Sequence, residues 1–123
     1  MNSLIKSIFA DFKVGGKNIP VSFLRYSGTA KAYVTYQEIT KGNGFYGDDE
    51  LRNYISYYDF DVFSKSDYLP IIEGIKTLLI SNGFKWQPEL TSADMFEDDT
   101  GYYHKTLNFS YIRSEDSNII PSI

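Results

Sequence analysis

The sequence contains no cysteine among its 123 residues. A disulfide framework and a thiolate metal site are therefore excluded, and folding does not depend on an oxidising compartment. Long apolar runs are also lacking, because the longest runs fall far short of the roughly 20 apolar residues that span a membrane. The N-terminal apolar positions are spaced rather than continuous, unlike those of a signal peptide. We therefore expect synthesis in the cytoplasm and no association with a membrane.

Positive charge is scarce as well. The chain has 12 Lys and Arg residues against 16 Asp and Glu residues, which gives a formal net charge of −4. A nucleic-acid binder needs a basic face to neutralise phosphates, and an anionic membrane surface attracts the same kind of face. The charge balance argues against both partners and leaves room only for a small local basic patch.

Aromatic residues, in contrast, make up 17% of the chain, with 11 Tyr, 9 Phe and one Trp. Phe is easily accommodated in a core, whereas each buried Tyr hydroxyl needs a hydrogen-bond partner. Tyr is also enriched at protein interfaces. Two interpretations stay open, an aromatic-rich sheet and an unusually large area of interface.

Apolar residues spaced three and four apart predict two helices, at 2–13 and 68–82. The signals expected to start and end them are Ser3 and Gly15-Gly16 for the first helix, and Ser66 or Asp67, Pro70 and Asn82-Gly83 for the second. In the second helix, the stripe predicted to face the core consists of Leu69, Ile72, Ile75 and Leu79.

Alternating apolar and polar residues predict the strands. These strands cover 18–24, 30–39, 51–63, 84–90 with a continuation to 96, and 102–113. Because two apolar helix stripes need one surface to cover, the sequence predicts an α+β fold. We expect a mostly antiparallel sheet of four to five strands with both helices on one face, in the order α-β-β-β-α-β-β. One domain would span 1–113, followed by a flexible tail at 114–123.

Few residues are suited to catalysis. His104 is the only histidine, and no Ser or Asp spacing identifies a partner that would make it a general base. Asp59 and Asp61 lie two apart in a strand, where paired carboxylates can hold Mg²⁺ in a metal-dependent enzyme. A nuclease would also use a lysine at a strand end, and Lys65 falls in a turn. We favour a structural or surface role for His104. For the two carboxylates we favour a solvated strand edge or a contact with a partner subunit, and we expect no catalytic residue, cofactor or metal.

Two acidic clusters lie in predicted loops, Asp48-Asp49-Glu50 and Glu97-Asp98-Asp99. Neither has the alternating oxygen ligands and distant Glu of a calcium loop. Such runs are usually solvated turns or electrostatic contact surfaces.

Several short blocks occur in an order that is similar to one protein family. The blocks are NIPVSFL at 18–24, AYVTY at 32–36, GFYGDDE at 44–50, YDFDVFSKSDY at 58–68 and MFEDDTGYYHK at 95–105. With the N-terminal helix they resemble the tail terminators, or tail-completion proteins, of long-tailed siphovirus-type phages and prophages, over residues 1–113. Asp59 stands where the family pattern has a neutral or apolar residue, so another head–tail joining component stays open.

The resemblance implies a non-enzymatic virion component. Tail terminators end the growth of the tail tube by forming a ring, commonly of six subunits, which then presents a surface to the head. The implied partners are further copies of the chain, the major tail tube protein and the head–tail connector proteins. The implied location is the virion, at the end of the tail near the head.

A closed ring needs two different contact patches on each subunit. We expect acidic loops of one subunit to meet basic groups of the next, with Tyr102 nearby. The candidate interface residues are Asp48, Asp49, Glu50, Glu97, Asp98, Asp99, Tyr102, Lys31, Lys41, Arg52 and Lys105. The alternative is an acidic binding or immunity-type module that covers a basic protein partner, and such a module would be monomeric by itself.

Overall fold

A computed structural model of the chain describes residues 2–41 and 53–114. Within them, two helices pack on one face of a mostly antiparallel sheet, which confirms the predicted α+β class. A 3-10 turn at Pro88–Leu90 accompanies these elements. In chain order they are α1 (Asn2–Ile8), β1 (Lys13–Val14), β2 (Lys17–Asn18), β3 (Val21–Phe23), β4 (Ala32–Lys41), β5 (Asn53–Ser64), α2 (Leu69–Ser81), β6 (Lys85–Trp86), β7 (Met95–Glu97) and β8 (Tyr102–Ser114).

The main sheet has six strands in the described part of the chain, in the order β3-β4-β5-β8-β6, with β7 also paired to β8. β3 runs parallel to β4, and the other neighbouring pairs are antiparallel. The sheet exceeds the predicted four to five strands because 84–97 does not form one extended piece. Pro88 lacks the N–H that a strand ladder uses, and the 3-10 turn that it starts separates β6 from β7.

The core lies between the helices and one face of the sheet. Alternate residues of the three long strands point to this face, and each of those that follow is at most 2% exposed: Val34, Tyr36, Phe60, Val62, Leu107 and Phe109. The helices and the turn after α1 cover them with Ile5, Phe9, Phe12, Ile71, Ile72, Ile75 and Leu79. The period of two in the strands and the spacing of three and four in α2 therefore converge on one core.

The N-terminal region differs from the prediction, because α1 is shorter than 2–13. Gly15 and Gly16 do not end the helix but form the two-residue turn between β1 and β2, with φ of 59° and 80°. Positive φ at both positions suits the twist of a tight hairpin and favours glycine. The Ser3 cap is also wrong, since Ser3 lies inside α1, where its carbonyl accepts a hydrogen bond from the Ser7 hydroxyl.

α2 agrees closely with the prediction at both ends. Pro70 lies in its first turn, and the chain leaves the helix at Asn82 and at Gly83, whose φ is 91°. The N-cap is Tyr68, which comes one residue after Asp67 and two after Ser66, the two predicted caps. Asp67 still serves the first turn, because its carboxylate accepts a hydrogen bond of 3.0 Å from the backbone N–H of Leu69.

Parts of the predicted layout fall beyond the described ranges. β8 continues to Ser114, where the predicted tail begins, and 115–123 lie outside the described residues. Within residues 2–41 and 53–114, no helix has the length and apolar character needed to cross a membrane.

Candidate functional site

The residues considered for catalysis or metal binding, Asp59, Asp61 and His104, lie on the sheet face that points away from the helices, here called the open face. On β5 these residues alternate with the buried Tyr58, Phe60 and Val62, so they point to the opposite side. The antiparallel register with β8 then decides which side chains meet. It pairs Asp59 with Asn108, Asp61 with Thr106, and Phe63 with His104.

His104 has two acidic partners that the sequence did not reveal. Its Nε2 lies 3.2 Å from a carboxylate oxygen of Asp61, and its Nδ1 lies 3.5 Å from one of Glu97. The ring also stacks on Phe63, with centroids 4.2 Å apart. Only 18% of the His104 side chain is exposed. The imidazole is therefore held from three sides, and the signal that predicts its partners is strand register rather than residue spacing.

The side chain of Asp59 is partly buried. Burial raises the pKa of its carboxyl, a hydrogen bond from Asn108 lowers it, and the charge of Asp61 raises it. The Asn108 amide donates to Asp59 over 2.9 Å, and Asn108 is 1% exposed. The Asp61 carboxylate accepts hydrogen bonds from His104 and the Thr106 hydroxyl. Both carboxylates are thus tied to β8.

This arrangement does not resemble a metal centre. Asp61 and Glu97 approach opposite nitrogens of the His104 ring, so one ion could not be bound by all three groups. Across the described ranges, no group of three or more His, Asp or Glu side chains is placed to hold an ion. The same-face geometry predicted for Asp59 and Asp61 is present, but it supplies a cross-strand hydrogen-bond network.

A stack of aromatic rings crosses the open face where β5 ends. The centroids of successive rings lie 4.5 Å apart for Tyr26 and Tyr33, 4.7 Å for Tyr33 and Phe63, and 4.2 Å for Phe63 and His104. Three of these four residues come from different strands, β4, β5 and β8. Aromatic pairs at such distances stabilise beyond the area they bury, so the stack fastens one end of the sheet.

Tyr102, a candidate interface residue, packs edge-on against two rings of this stack. Its hydroxyl donates a hydrogen bond of 2.8 Å to the carbonyl of Ala30, and the Lys65 ammonium lies 4.8 Å from its ring centroid. Tyr102 therefore binds its own chain on several sides. At this end of the molecule, tyrosine serves the sheet itself, as in the first of the two interpretations of the aromatic content.

The second acidic cluster forms the turn between β7 and β8. The Glu97 carboxylate already has partners within its own chain, because it accepts a hydrogen bond of 3.0 Å from the Thr100 hydroxyl and lies near His104. Asp98 and Asp99 are exposed. Lys65 anchors the turn with a hydrogen bond of 2.8 Å to the Thr100 carbonyl. Two of the three predicted contact carboxylates thus face solvent from an anchored turn.

Of the basic candidate interface residues, one is exposed to solvent and another pairs with a carboxylate of its own chain. Lys31 is exposed just before β4, whereas the Lys105 ammonium lies 3.2 Å from a carboxylate oxygen of Asp94 in its own chain. Lys41 is the last residue of β4, at the end of the sheet opposite the 97–101 turn. The remaining candidates lie outside the described residues: Asp48, Asp49, Glu50 and Arg52.

No protein-family model matches the chain, and no curated protein sequence matches it. The family resemblance therefore depends on the order of the sequence blocks alone.

One outer edge of the sheet carries a feature that sequence analysis missed, the Leu24 turn, defined as Phe23, Leu24 and Arg25. Phe23 is 45% and Leu24 57% exposed. The N–H of Arg25 donates to the carbonyl of Phe23 over 2.8 Å, and Leu24 between them has φ of 69°. Such a γ-turn is rare for a bulky residue and costs about 1–3 kcal/mol. No local sequence signal announces it, because glycine is the residue expected at positive φ.

The Leu69 groove lies on the other side of β4 and β5, as a depression of about 540 Å³ where the start of α2 meets β8. Its apolar wall is made by Tyr68, Leu69 and Tyr103, and its acidic rim by Asp67 and Asp94. Leu69 is 59% exposed, so its predicted place in the core is wrong. The start of α2 is covered, because Tyr68 and Ile71 are buried, but the helical period places Leu69 at the flank of the buried side.

Hydrogen bonding defines the chemistry of the groove. The Tyr68 hydroxyl donates to the Asp94 carboxylate, which also accepts a bond from Lys105. These two contacts lower the pKa of Asp94, whereas burial and then the bond to Asp94 raise the pKa of Tyr68. At neutral pH Asp94 is therefore ionised, and the Tyr68 hydroxyl remains a hydrogen-bond donor.

Proposed function

We propose that this protein is a non-enzymatic assembly component of a phage virion, a tail terminator that forms a ring on the tail tube and joins it to the head. The sequence blocks support the family. The observation that carries the ring is the presence of two different, partly apolar surfaces on one sheet, the Leu24 turn and the Leu69 groove, with β4 and β5 between them.

The Leu24 turn and the Leu69 groove favour head-to-tail association of the subunits. A ring is closed by contacts between unlike patches, whereas a twofold dimer uses one patch that complements itself. The Leu24 turn follows the edge strand β3 and the groove is lined from β8 and the start of α2, so β4 and β5 lie between them. Each subunit therefore offers one surface to the copy before it and another to the copy after it.

A structural role suits the open face as well. The side chains with catalytic potential bind one another across strands: Asp59 to Asn108, and Asp61 to Thr106 and His104. A general base acts on a nucleophile or on bound substrate, and within the described residues His104 contacts two carboxylates and a ring. These contacts support a sheet built for rigidity.

The direct test combines the purified chain with tail tubes assembled from the major tail protein of the same phage. Electron microscopy should show a ring at one end of each tube, and light scattering should give a defined multiple of the subunit mass. Tubes that keep growing in the presence of the protein would contradict the proposal.

The same preparation separates the alternatives. A tight one-to-one complex with a basic protein, without binding to tubes, would favour the acidic binding module. A rise in thermal stability with Mg²⁺ that is lost in Asp59→Asn would favour a metal-dependent enzyme, because a ligand of the folded state stabilises it.

A further inference from the structure

We infer that the occupant of the Leu69 groove is the Leu24 turn of a second copy of this chain, with Arg25 of the first copy paired to Asp67 of the second. The inference deepens the proposed ring and rests on it, because it names the contact that joins one subunit to the next.

The Leu24 turn has the properties of an inserting element. Leu24 is 57% exposed although it is apolar, and the turn is fixed by two backbone hydrogen bonds, Leu24 N–H to Tyr36 carbonyl over 2.9 Å and Arg25 N–H to Phe23 carbonyl over 2.8 Å. The Phe23 ring also packs against the Tyr36 ring, and their centroids lie 5.5 Å apart. A preformed projection loses little conformational freedom on binding.

The Leu69 groove offers an apolar receiving surface. Leu69 is 59% and Tyr103 46% exposed, and Phe96 extends the same surface with its ring 4.9 Å from that of Tyr103. Contiguous exposed apolar side chains bordered by polar ones are typical of interaction sites. Burying Leu24 against them removes apolar area of both copies from water at once.

Charge selects the partner of Arg25. Arg25 is exposed, and among residues 2–41 and 53–114 no carboxylate pairs with it. On the groove rim, Asp94 already binds Tyr68 and Lys105, while Asp67 accepts only the backbone N–H of Leu69 within the same ranges. The Asp67 carboxylate therefore has free acceptor positions for a guanidinium, which pairs with carboxylates through two parallel hydrogen bonds.

Lys65 also lines the groove, but it does not compete with Arg25 for the Asp67 carboxylate. Its ammonium donates to the Thr100 carbonyl over 2.8 Å and lies 4.8 Å from the Tyr102 ring centroid. The Lys65 ammonium is thus directed to the acidic turn of its own chain.

Both surfaces face the helix side of the sheet, which makes the contact geometrically consistent. Phe23 packs on Tyr36, whose side chain belongs to the core face, and Tyr103 packs on Tyr68 at the start of α2. Because the two surfaces are unlike and separate, docking leaves one free copy of each, and association continues head to tail until the ring closes.

The absence of cysteine in the chain allows a clean test by cross-linking. Two single-cysteine variants, Leu24→Cys and Leu69→Cys, are mixed at high concentration and treated with a short bis-maleimide. The expected result is at least fivefold more cross-linked dimer than from Leu24→Cys mixed with Ile80→Cys, a matched control because Ile80 is 52% exposed at the far end of α2. Equal yields from the two mixtures would overturn the inference.

A charge exchange tests the polar half of the contact. Arg25→Glu in the Leu24→Cys variant should lower the cross-linking yield with the Leu69→Cys variant at least threefold. Asp67→Arg in the Leu69→Cys variant should then restore that yield. A yield that Arg25→Glu leaves unchanged, or that the exchange fails to restore, rejects the Arg25–Asp67 pair. Leu24→Gly keeps the fold testable, since it relieves the positive φ and should lower self-association without lowering the melting temperature.

Failure of this contact is distinguishable from failure of the proposed function. If the wild-type chain caps tail tubes while the Leu24–Leu69 pair shows no excess cross-linking, the terminator proposal stands and the docking mode is wrong. If the pair cross-links and tubes are not capped, the copies associate as inferred and the role in the tail is wrong.

Discussion

At Asp59, stability and pH are linked by the environment of one carboxyl group. Burial is the largest cause that raises its pKa above the ordinary value of 3.8. Between the unfolded and the raised folded pKa, the folded protein binds more protons than the unfolded chain. The contribution of this group to stability is therefore greatest at low pH and declines as the pH rises through the folded pKa.

Replacing Asp59 by Asn should accordingly stabilise the protein at pH 7, by roughly 0.5 kcal/mol, because water still reaches the carboxyl and screens its charge. The amide keeps an acceptor for Asn108. Urea unfolding should show the gain at pH 7 and little difference near pH 4. Asp99→Asn, at an exposed turn, is the control and should change neither value. A less stable Asp59→Asn variant at pH 7 would contradict the sign.

Among the elements, the β1–β2 hairpin depends on its two glycines for conformation rather than for space. A methyl group added at Gly15 or Gly16 meets nothing within 4 Å, but φ is positive at both. Gly15→Val should therefore lower the free energy of unfolding by about 1–2 kcal/mol. Gly15→Asn should be nearly neutral, because Asn-Gly suits this turn. Thermal unfolding of both variants checks the prediction, and equal losses would reject it.

Helix α2 should show a sharp contrast between its two sides. Ile75 is fully buried and Ile80 is 52% exposed. We expect Ile75→Ala to cost about 2–5 kcal/mol, since it leaves a cavity in the core. Ile80→Ala should change stability by less than about 0.5 kcal/mol. Denaturant unfolding measures both, and similar costs would mean that this side of α2 is packed in another way.

For the whole molecule, charge at the 97–101 turn should govern assembly. Asp98 and Asp99 are exposed there, and Lys31 is an exposed basic candidate on the same chain. The double change Asp98→Lys and Asp99→Lys should weaken ring formation by about fivefold at low salt, with a smaller effect at high salt. Light scattering across protein concentrations measures this.

The control for that change carries the same charge on other surfaces, Glu73→Lys with Glu89→Lys, since both residues are exposed and lie in α2 and the 3-10 turn. Assembly that is equally weakened in both double variants would show a general effect of net charge. Assembly unchanged in the turn variant would remove the 97–101 turn from the interface.

Local pattern alone determined much of this protein. The spacing of Ile72, Ile75 and Leu79 predicted a helix and its buried side, and alternation in β5 and β8 assigned each side chain to a face. The end of α2 at Asn82-Gly83 and the class of the fold followed as well. These features are encoded within a few neighbouring residues, because helix and strand periods translate position directly into direction.

Only the tertiary structure decided what those faces meet. His104 acquired Asp61 and Glu97 because β5 and β8 pair in one register, which no spacing along the chain reveals. Leu69 became exposed at the flank of the buried side of α2, and Leu24 became exposed in a turn of positive φ just past the end of the edge strand β3. Register and sheet edges depend on contacts between residues far apart in sequence, and those contacts exist only once the whole chain is folded.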